Sequence, residues 1–184
     1  LPLANADNIL EIIKLSGITN WKTIVAKPIA VEDYGVEIKR RFQVEISQFL
    51  SPSRKFFSGL RFVGGNGTRI FTMLDDGLIP ICAEFQHGCG EVLFDLPGGR
   101  IEASENPAVC AKREFEEEVG IVLKKVIPLG SVGIPISARH FSARVFSFMS
   151  VVSNSLILKS QKLDEDEYLK VVLVCLDDWL KLID

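Results

Sequence analysis

Residues 99–121 read GRIEASENPAVCAKREFEEEVGI, and the spacing within them decides how the rest of the chain is read. A helix is predicted from Pro107 to Val119. Asn106 is a good N-cap, Pro107 falls where a backbone N–H would have no helical partner, and Gly120 suits a left-handed residue after the last turn. At about 100° per residue, Glu114, Glu117 and Glu118 are related by i, i+3 and i+4 and share one sector of the helix. Ala108, Ala111, Phe115 and Val119 fill the adjoining sector, so the helix can lie on a sheet by that stripe while its carboxylates run along the edge. Glu116 points away, toward solvent.

Like charges crowded near a helix C-terminus oppose both one another and the macrodipole. Arg113, one turn before Glu117, can orient one carboxylate but cannot neutralise the set. Clustered oxygen ligands are what a hard divalent ion requires, and Mg²⁺ commonly joins carboxylates to substrate phosphates. The helix therefore points to phosphate chemistry. Taken alone, an acidic helix is more often a solvated charged face; the wider spacing outweighs that explanation.

Gly99, five residues, Glu105, seven residues, Arg113-Glu114, a bulky apolar residue, any residue, Glu117-Glu118, any residue, Gly120 and a bulky aliphatic together fill every fixed position of a known motif. The stretch resembles the Nudix box. The one soft departure is Phe115, where the family usually has an aliphatic. The resemblance implies the Nudix fold, an α/β (α+β) architecture in which an α/β/α sandwich surrounds a mixed sheet. It implies Glu114, Glu117 and Glu118 as ligands of Mg²⁺ or Mn²⁺, with the Gly98 carbonyl as a candidate further ligand. Arg113 and Glu105 would support the cluster, and Gly99 would allow the sharp turn before it.

Composition is consistent with this. The chain has 184 residues, enough for one domain with a small extension, and hydrophobic and charged residues make up 47% and 24%. A formal net charge of −3 offers no general attraction for nucleic acid or anionic lipid, so a polyanionic ligand must be held locally. The cysteines Cys82, Cys89, Cys110 and Cys175 form no CxxC pair, which favours reduced thiols and disfavours zinc, and His87 and His140 stand too far apart for a zinc site or a triad. No apolar run reaches the ~20 residues that span a bilayer, and a cytoplasmic protein without a membrane or nucleic-acid partner is expected. The first residue is Leu1, so a removed leader or a trimmed start is compatible with the sequence.

Along the chain, residues 1–65 are expected to form a leading helix, Asp7 to Leu15, and a β-rich extension with segments at Thr23 to Ala26, Val36 to Ile46 and Phe56 to Val63. Residues 66–184 would carry the catalytic domain. Its strands are expected at Ile70 to Leu74 and Leu78 to Phe85 around the turn Asp75-Asp76-Gly77, then at Glu91 to Leu96, Val126 to Val132, Arg144 to Val152 and Tyr168 to Cys175. A last helix starts near Asp177.

The β-rich extension, followed by EFQHGCGEVLFDLPGG before the box, looks like the ADP-ribose pyrophosphatase branch. That resemblance implies a homodimer built by the extension and an aromatic residue stacking on the base. Trp21 is the candidate, with a plain core or interface role the alternative. Ala83-Glu84-Phe85-Gln86 stands where the branch has Arg-Gln-aromatic-Arg, and Arg139 stands where a later patterned loop has glutamate. Arg139, His140 and Arg144 could supply phosphate contacts in place of the missing arginines, although a surface loop role serves Arg139 equally well. Cys110 borders the carboxylate face or is simply a small packed thiol. In this branch a loop glutamate ahead of the last strand often serves as general base; here Glu167 fits that position, with Glu165 or a box glutamate as alternatives.

The expected activity is metal-dependent hydrolysis of the diphosphate bond in ADP-ribose or a related nucleoside diphosphate sugar, giving a nucleoside monophosphate and a sugar phosphate. UDP-glucose, GDP-mannose, dinucleotides and nucleoside triphosphates are alternative substrates. A Nudix module that senses a nucleotide without cleaving it is the alternative of another class.

Overall fold

In the computed structural model, the described residues are 3–4, 8, 11–12, 15, 42–50, 56–86, 88–152, 158–163 and 168–183. Their strands are β1 (Leu3–Ala4), β2 (Phe42–Leu50), β3 (Phe56–Gly64), β4 (Gly67–Leu74), β5 (Leu78–Gln86), β6 (Glu91–Asp95), β7 (Ile127–Pro128), β8 (Ile134–Pro135), β9 (Arg144–Val152) and β10 (Leu169–Cys175). The helices α1 (Pro107–Val119) and α2 (Leu176–Ile183) complete the set.

One sheet has the order β1-β10-β5-β6, and β4, β9 and β7 form a second, with β8 also pairing β9. Both sheets are mixed: β4 runs parallel to β9 and β1 parallel to β10, whereas β5 is antiparallel to both of its neighbours. The turn between β4 and β5 forms as its sequence predicts. Gly77 takes φ 77°, its amide donates to the Leu74 carbonyl, and Asp76 accepts from the Leu78 amide.

Period-two alternation distributes the β5 and β10 side chains between two cores. Cys82, Leu169 and Val171 join Ile70, Leu74 and Phe148 beneath Ala111, Phe115 and Val119 of α1. Ile79, Ile81, Ala83, Val172 and Val174 face the other way, against Trp179 of α2. A sheet with α1 on one face and α2 on the other is the layered α/β arrangement that the box resemblance implied. Phe115 is fully buried in the first core, so an aromatic ring fills the position usually held by an aliphatic.

The β2–β3 hairpin pairs from Phe42↔Gly64 to Leu50↔Phe56. It joins the loop before β9 through the Phe62 amide, which donates to the His140 carbonyl at 2.7 Å, and the Ser142 amide, which donates to the Phe62 carbonyl at 3.0 Å. The Phe62 and Phe141 rings stack with centroids 4.9 Å apart.

Two expected strands have other bounds in the structure. The strand expected over Val36 to Ile46 runs on past Ile46 to Leu50, because β3 offers it a nine-residue partner, while residues 36–41 lie outside the described residues. The strand expected over Val126 to Val132 shrinks to Ile127–Pro128, since Pro128 has no N–H to extend the ladder and the chain leaves the sheet after Leu129 bonds Ser147. The short parallel strand β1 was not foreseen, as two residues carry no periodic signal. Of the leading helix, Glu11, Ile12 and Leu15 are helical, and the Ile12 amide donates to the Asn8 carbonyl. Thr23 to Ala26 lies outside the described residues. No helix of the described residues is long and apolar enough to cross a membrane.

Candidate active site

The loop ahead of α1 is fastened to the start of β4. The Thr68 amide donates to the Gly99 carbonyl at 2.8 Å, the Ile70 amide to Pro97 at 2.9 Å, and the Ile101 amide to Asn66 at 3.0 Å. Two glycines permit this approach. Gly98 has φ 144°, and a Cβ there would lie 2.3 Å from the Thr68 carbonyl oxygen; a Cβ on Gly99 would lie 2.5 Å from the Glu114 carboxyl carbon.

The start of α1 agrees with the sequence reading: Asn106 Oδ1 accepts from the Ala108 amide at 2.9 Å, with Pro107 at the first helical position. At its end Gly120 adopts φ 75°. A strap from Leu158 to Lys162 then crosses the C-terminal turn and satisfies carbonyls that no helix of this length can pair internally. The Lys159 amide donates to Gly120 at 2.8 Å, the Lys162 amide donates to Glu117 at 2.9 Å, and the Gln161 side chain donates to the Glu118 carbonyl. Lys159 also pairs with Glu116, so Glu116 points away from the other glutamates but into an ion pair rather than open solvent.

Arg113 ties the acidic residues together. Its Nε and Nη2 donate to Glu105 at 3.0 and 3.1 Å, and its Nη1 lies 2.8 Å from Glu117 and 2.9 Å from Glu114. The Arg113 hydrogen bonds hold the Glu105 carboxyl at a pKa of about 2, and the Glu105 bonds in turn raise that of Arg113. Glu118 stands apart from this network. It is buried, accepts from the Gly98 amide at 2.8 Å and has the Cys82 thiol 3.8 Å away. Glu114 is equally buried.

Arg69, which carries no motif signal, completes the loop's support. Its Nη1 donates to the Gly98 carbonyl at 2.7 Å and its Nε pairs with Asp95 at 2.7 Å. Burial disfavours this cation, yet Asp95 and Glu118 outweigh that and keep its pKa above the ordinary value. Cys110 packs in the core, with Sγ 3.5 Å from the Thr68 hydroxyl and 3.4 Å from the Arg100 carbonyl; burial pushes its thiol up to about 11. Such a thiol is almost wholly protonated near neutral pH and correspondingly unreactive.

The remaining candidates scatter. Arg144 donates to the Gly133 carbonyl at 2.6 Å, and Arg139 is exposed in the turn before Phe141; neither lines the cleft beside Glu114 and Glu117. Ala83 packs in the core under α2, while Gln86 bonds Glu84 on the same strand. Trp21, His87, Glu165 and Glu167 lie outside the described residues. The residues missed by sequence reasoning are Arg69, Arg100 and Lys162. Only the unpaired carbonyls expected at a helix C-terminus hinted that a strap carrying Lys162 must come to this end.

A family model described as the NUDIX domain matches residues 67–182. The chain belongs to the NUDIX family. Over 115 residues this Nudix chain is 28% identical to an ADP-ribose pyrophosphatase of Bacillus subtilis (strain 168), the match covering 62% of the chain and 60% of that protein. A shorter match, 42% over 53 residues, covers 28% of the chain and 26% of an ADP-ribose pyrophosphatase of Mycobacterium tuberculosis (strain ATCC 25618 / H37Rv). The methanol dehydrogenase activator of Bacillus methanolicus is 24% identical over 114 residues, 62% of the chain and 60% of that protein. The Nudix chain thus spans at most about 60% of the length of these curated relatives. A solved structure titled "Crystal structure of ADP compounds hydrolase" superposes with a TM-score of 0.64 at 21% identity, covering 78% of the chain and 76% of its own; it shares the fold.

Proposed function

We propose that the protein is a divalent-metal-dependent hydrolase of the diphosphate bond in ADP-ribose or a related nucleoside diphosphate sugar. The observation that carries this reading is the pair of buried carboxylates, Glu114 and Glu118, on one helix face with Glu117, beside a cleft of about 410 Å³. Burying like charges together is unfavourable unless a cation answers them. Arg113 answers Glu114 and Glu117, and Glu118, which accepts from the Gly98 amide, is favourably coupled to the Arg69 guanidinium.

The donor chemistry fits Mg²⁺ or Mn²⁺. Carboxylate oxygens of Glu114, Glu117 and Glu118, with the Gly98 carbonyl, are hard ligands of the kind these ions take. The absence of a Cβ at Gly99 leaves room for the Glu114 carboxylate beside the loop. Among the described residues no three acidic, thiol or imidazole groups converge into a ready-made cage, since Arg113 stands between Glu114 and Glu117. When bound, the ion would supply positive charge to the phosphates and acidify an attacking water. Glu167, with Glu165 as the alternative, is the proposed acceptor of the proton released as water attacks phosphorus and the bridging P–O bond breaks. The acidic segment begins two residues after Lys162, whose amide is bonded to Glu117.

The names of the Bacillus subtilis and Mycobacterium tuberculosis relatives support ADP-ribose as the first substrate to test. Residues 1–65, from the leading helix through the hairpin, are proposed as a dimerisation segment of a cytoplasmic enzyme; a monomer in sedimentation at micromolar concentration would contradict the dimer. The activity is tested by a panel of nucleoside diphosphate sugars, dinucleotides and nucleoside triphosphates with Mg²⁺, following phosphate-ester products. Release of AMP and ribose 5-phosphate from ADP-ribose is expected. Preference for another nucleotide would move the substrate assignment, and no turnover of any would leave a nucleotide-sensing module.

A further inference from the structure

We propose that the Lys162 ammonium is a phosphate contact of this site, gripping the diphosphate of the ligand that enters the cleft. The inference rests on reading the site as one for a nucleoside diphosphate. The cleft is lined by the ionisable side chains of Arg100, Glu102, Arg113, Glu114, Glu117 and Lys162. A diphosphate approaching these carboxylates meets repulsion that one or more cations must offset. Arg113 is already committed to Glu105, Glu114 and Glu117 and to the Arg100 carbonyl. Strand β5 contributes no cation: it holds no lysine or arginine, Ala83 is buried under α2 and Gln86 bonds Glu84.

Lys162 forms no ion pair among the described residues, although it lies beside Glu117. Its backbone, by contrast, is firmly held. The strap bonds Gly120 and Glu117 through the amides of Lys159 and Lys162, and the close approach depends on Gly120, where a Cβ would stand 2.5 Å from the Lys159 carbonyl oxygen. A flexible ammonium on an anchored backbone, at the rim of an acidic cleft, suits a ligand whose oxygens carry the charge. Lysine binds phosphate as a point charge and tolerates some variation in ligand geometry.

The test is calorimetric binding of inorganic pyrophosphate in Mg²⁺ to the wild type, Lys162→Ala and Lys162→Arg, with Mn²⁺ affinity of each protein read by paramagnetic resonance. Lys162→Ala is expected to bind pyrophosphate about tenfold or more weakly, the usual effect of losing a hydrogen bond to a charged group. Lys162→Arg should stay within about threefold of wild type, and Mn²⁺ affinity should be unchanged, because the contact is to phosphate and not to the ion. Unaltered pyrophosphate binding in Lys162→Ala would overturn the inference. So would no pyrophosphate binding by the wild type, or a loss of Mn²⁺ affinity in step with that of pyrophosphate, which would make Lys162 structural. Lys162-dependent pyrophosphate binding in a protein that cleaves no member of the nucleotide panel would uphold this inference and reject the proposed reaction.

Discussion

The Gly98 amide donates to Glu118 Oε2 at 2.8 Å, so the loop ahead of α1 and the last glutamate of the helix hold each other in place. The geometry leaves no room for a side chain at Gly98, where φ is 144° and a Cβ would sit 2.3 Å from the Thr68 carbonyl oxygen. Gly98→Ala is expected to destabilise the fold by about 2–4 kcal/mol through backbone strain and displacement of the loop. Turnover should also fall by at least about tenfold at temperatures where the variant is folded, as Glu118 loses its donor. Denaturant unfolding with parallel rate measurements checks both; a wild-type midpoint would show that the loop tolerates the change.

Charge on α1 should matter by position rather than by number. Glu118→Gln keeps an oxygen for the Gly98 amide, so the fold should survive, but it removes a proposed anionic metal ligand and should lower kcat by about 10²-fold or more. Glu116→Gln loses only the Lys159 pair, a partly exposed contact whose removal changes stability by less than about 1 kcal/mol and turnover hardly at all. Equal activity of the two variants would mean that the assigned face is not the working one.

Acid stability should carry the signature of Glu105. Arg113 holds this carboxyl at about 2, below the ordinary 4.5, so the folded state favours the charged form. The stabilisation is complete above about pH 4.5 and drains away as pH falls toward 2, because protonation breaks the bonds to Arg113. Glu105→Gln should be less stable than wild type near neutral pH, and the difference should shrink across that window. A gap between the two proteins that stays constant from pH 5 to 2.5 would remove Glu105 as the source.

If Glu167 is the proton acceptor as proposed, Glu167→Gln is expected to lower kcat by ~10²–10⁴ with little change in KM or metal affinity. Wild-type kcat in Glu167→Gln and in Glu165→Gln would return the role to a glutamate of α1.

What could be read from the sequence follows from how locally each feature is encoded. Asn106, Pro107 and Gly120 mark the ends of α1 by rules that act within a single turn, and the i, i+3, i+4 spacing is enough to put Glu114, Glu117 and Glu118 on one face. Glu105 and Arg113 meet across eight residues through the loop-helix junction, a contact the box pattern anticipates and helix periodicity does not. Arg69 and Gly98 are 29 positions apart, and the Lys162 amide reaches the Glu117 carbonyl from beyond β7, β8 and β9; such pairings depend on β4 and the strap being brought to α1 by the whole fold. Val126 to Val132 misled because its apolar residues mimic a strand while Pro128 withholds the ladder donor. Arg139 and Arg144 carry the charge that a phosphate needs, and Arg139 also stands at a patterned loop position, but neither charge nor position in sequence says which way a loop carries a side chain.

The central claim is that the acidic face of α1, loaded with a divalent ion, splits a nucleoside diphosphate sugar. Incubating the protein with ADP-ribose and following AMP release, with Mg²⁺ and then with excess chelator, tests it most directly. The account predicts stoichiometric AMP and ribose 5-phosphate in Mg²⁺ and a rate reduced to background in chelator. Undiminished AMP release in chelator would contradict it.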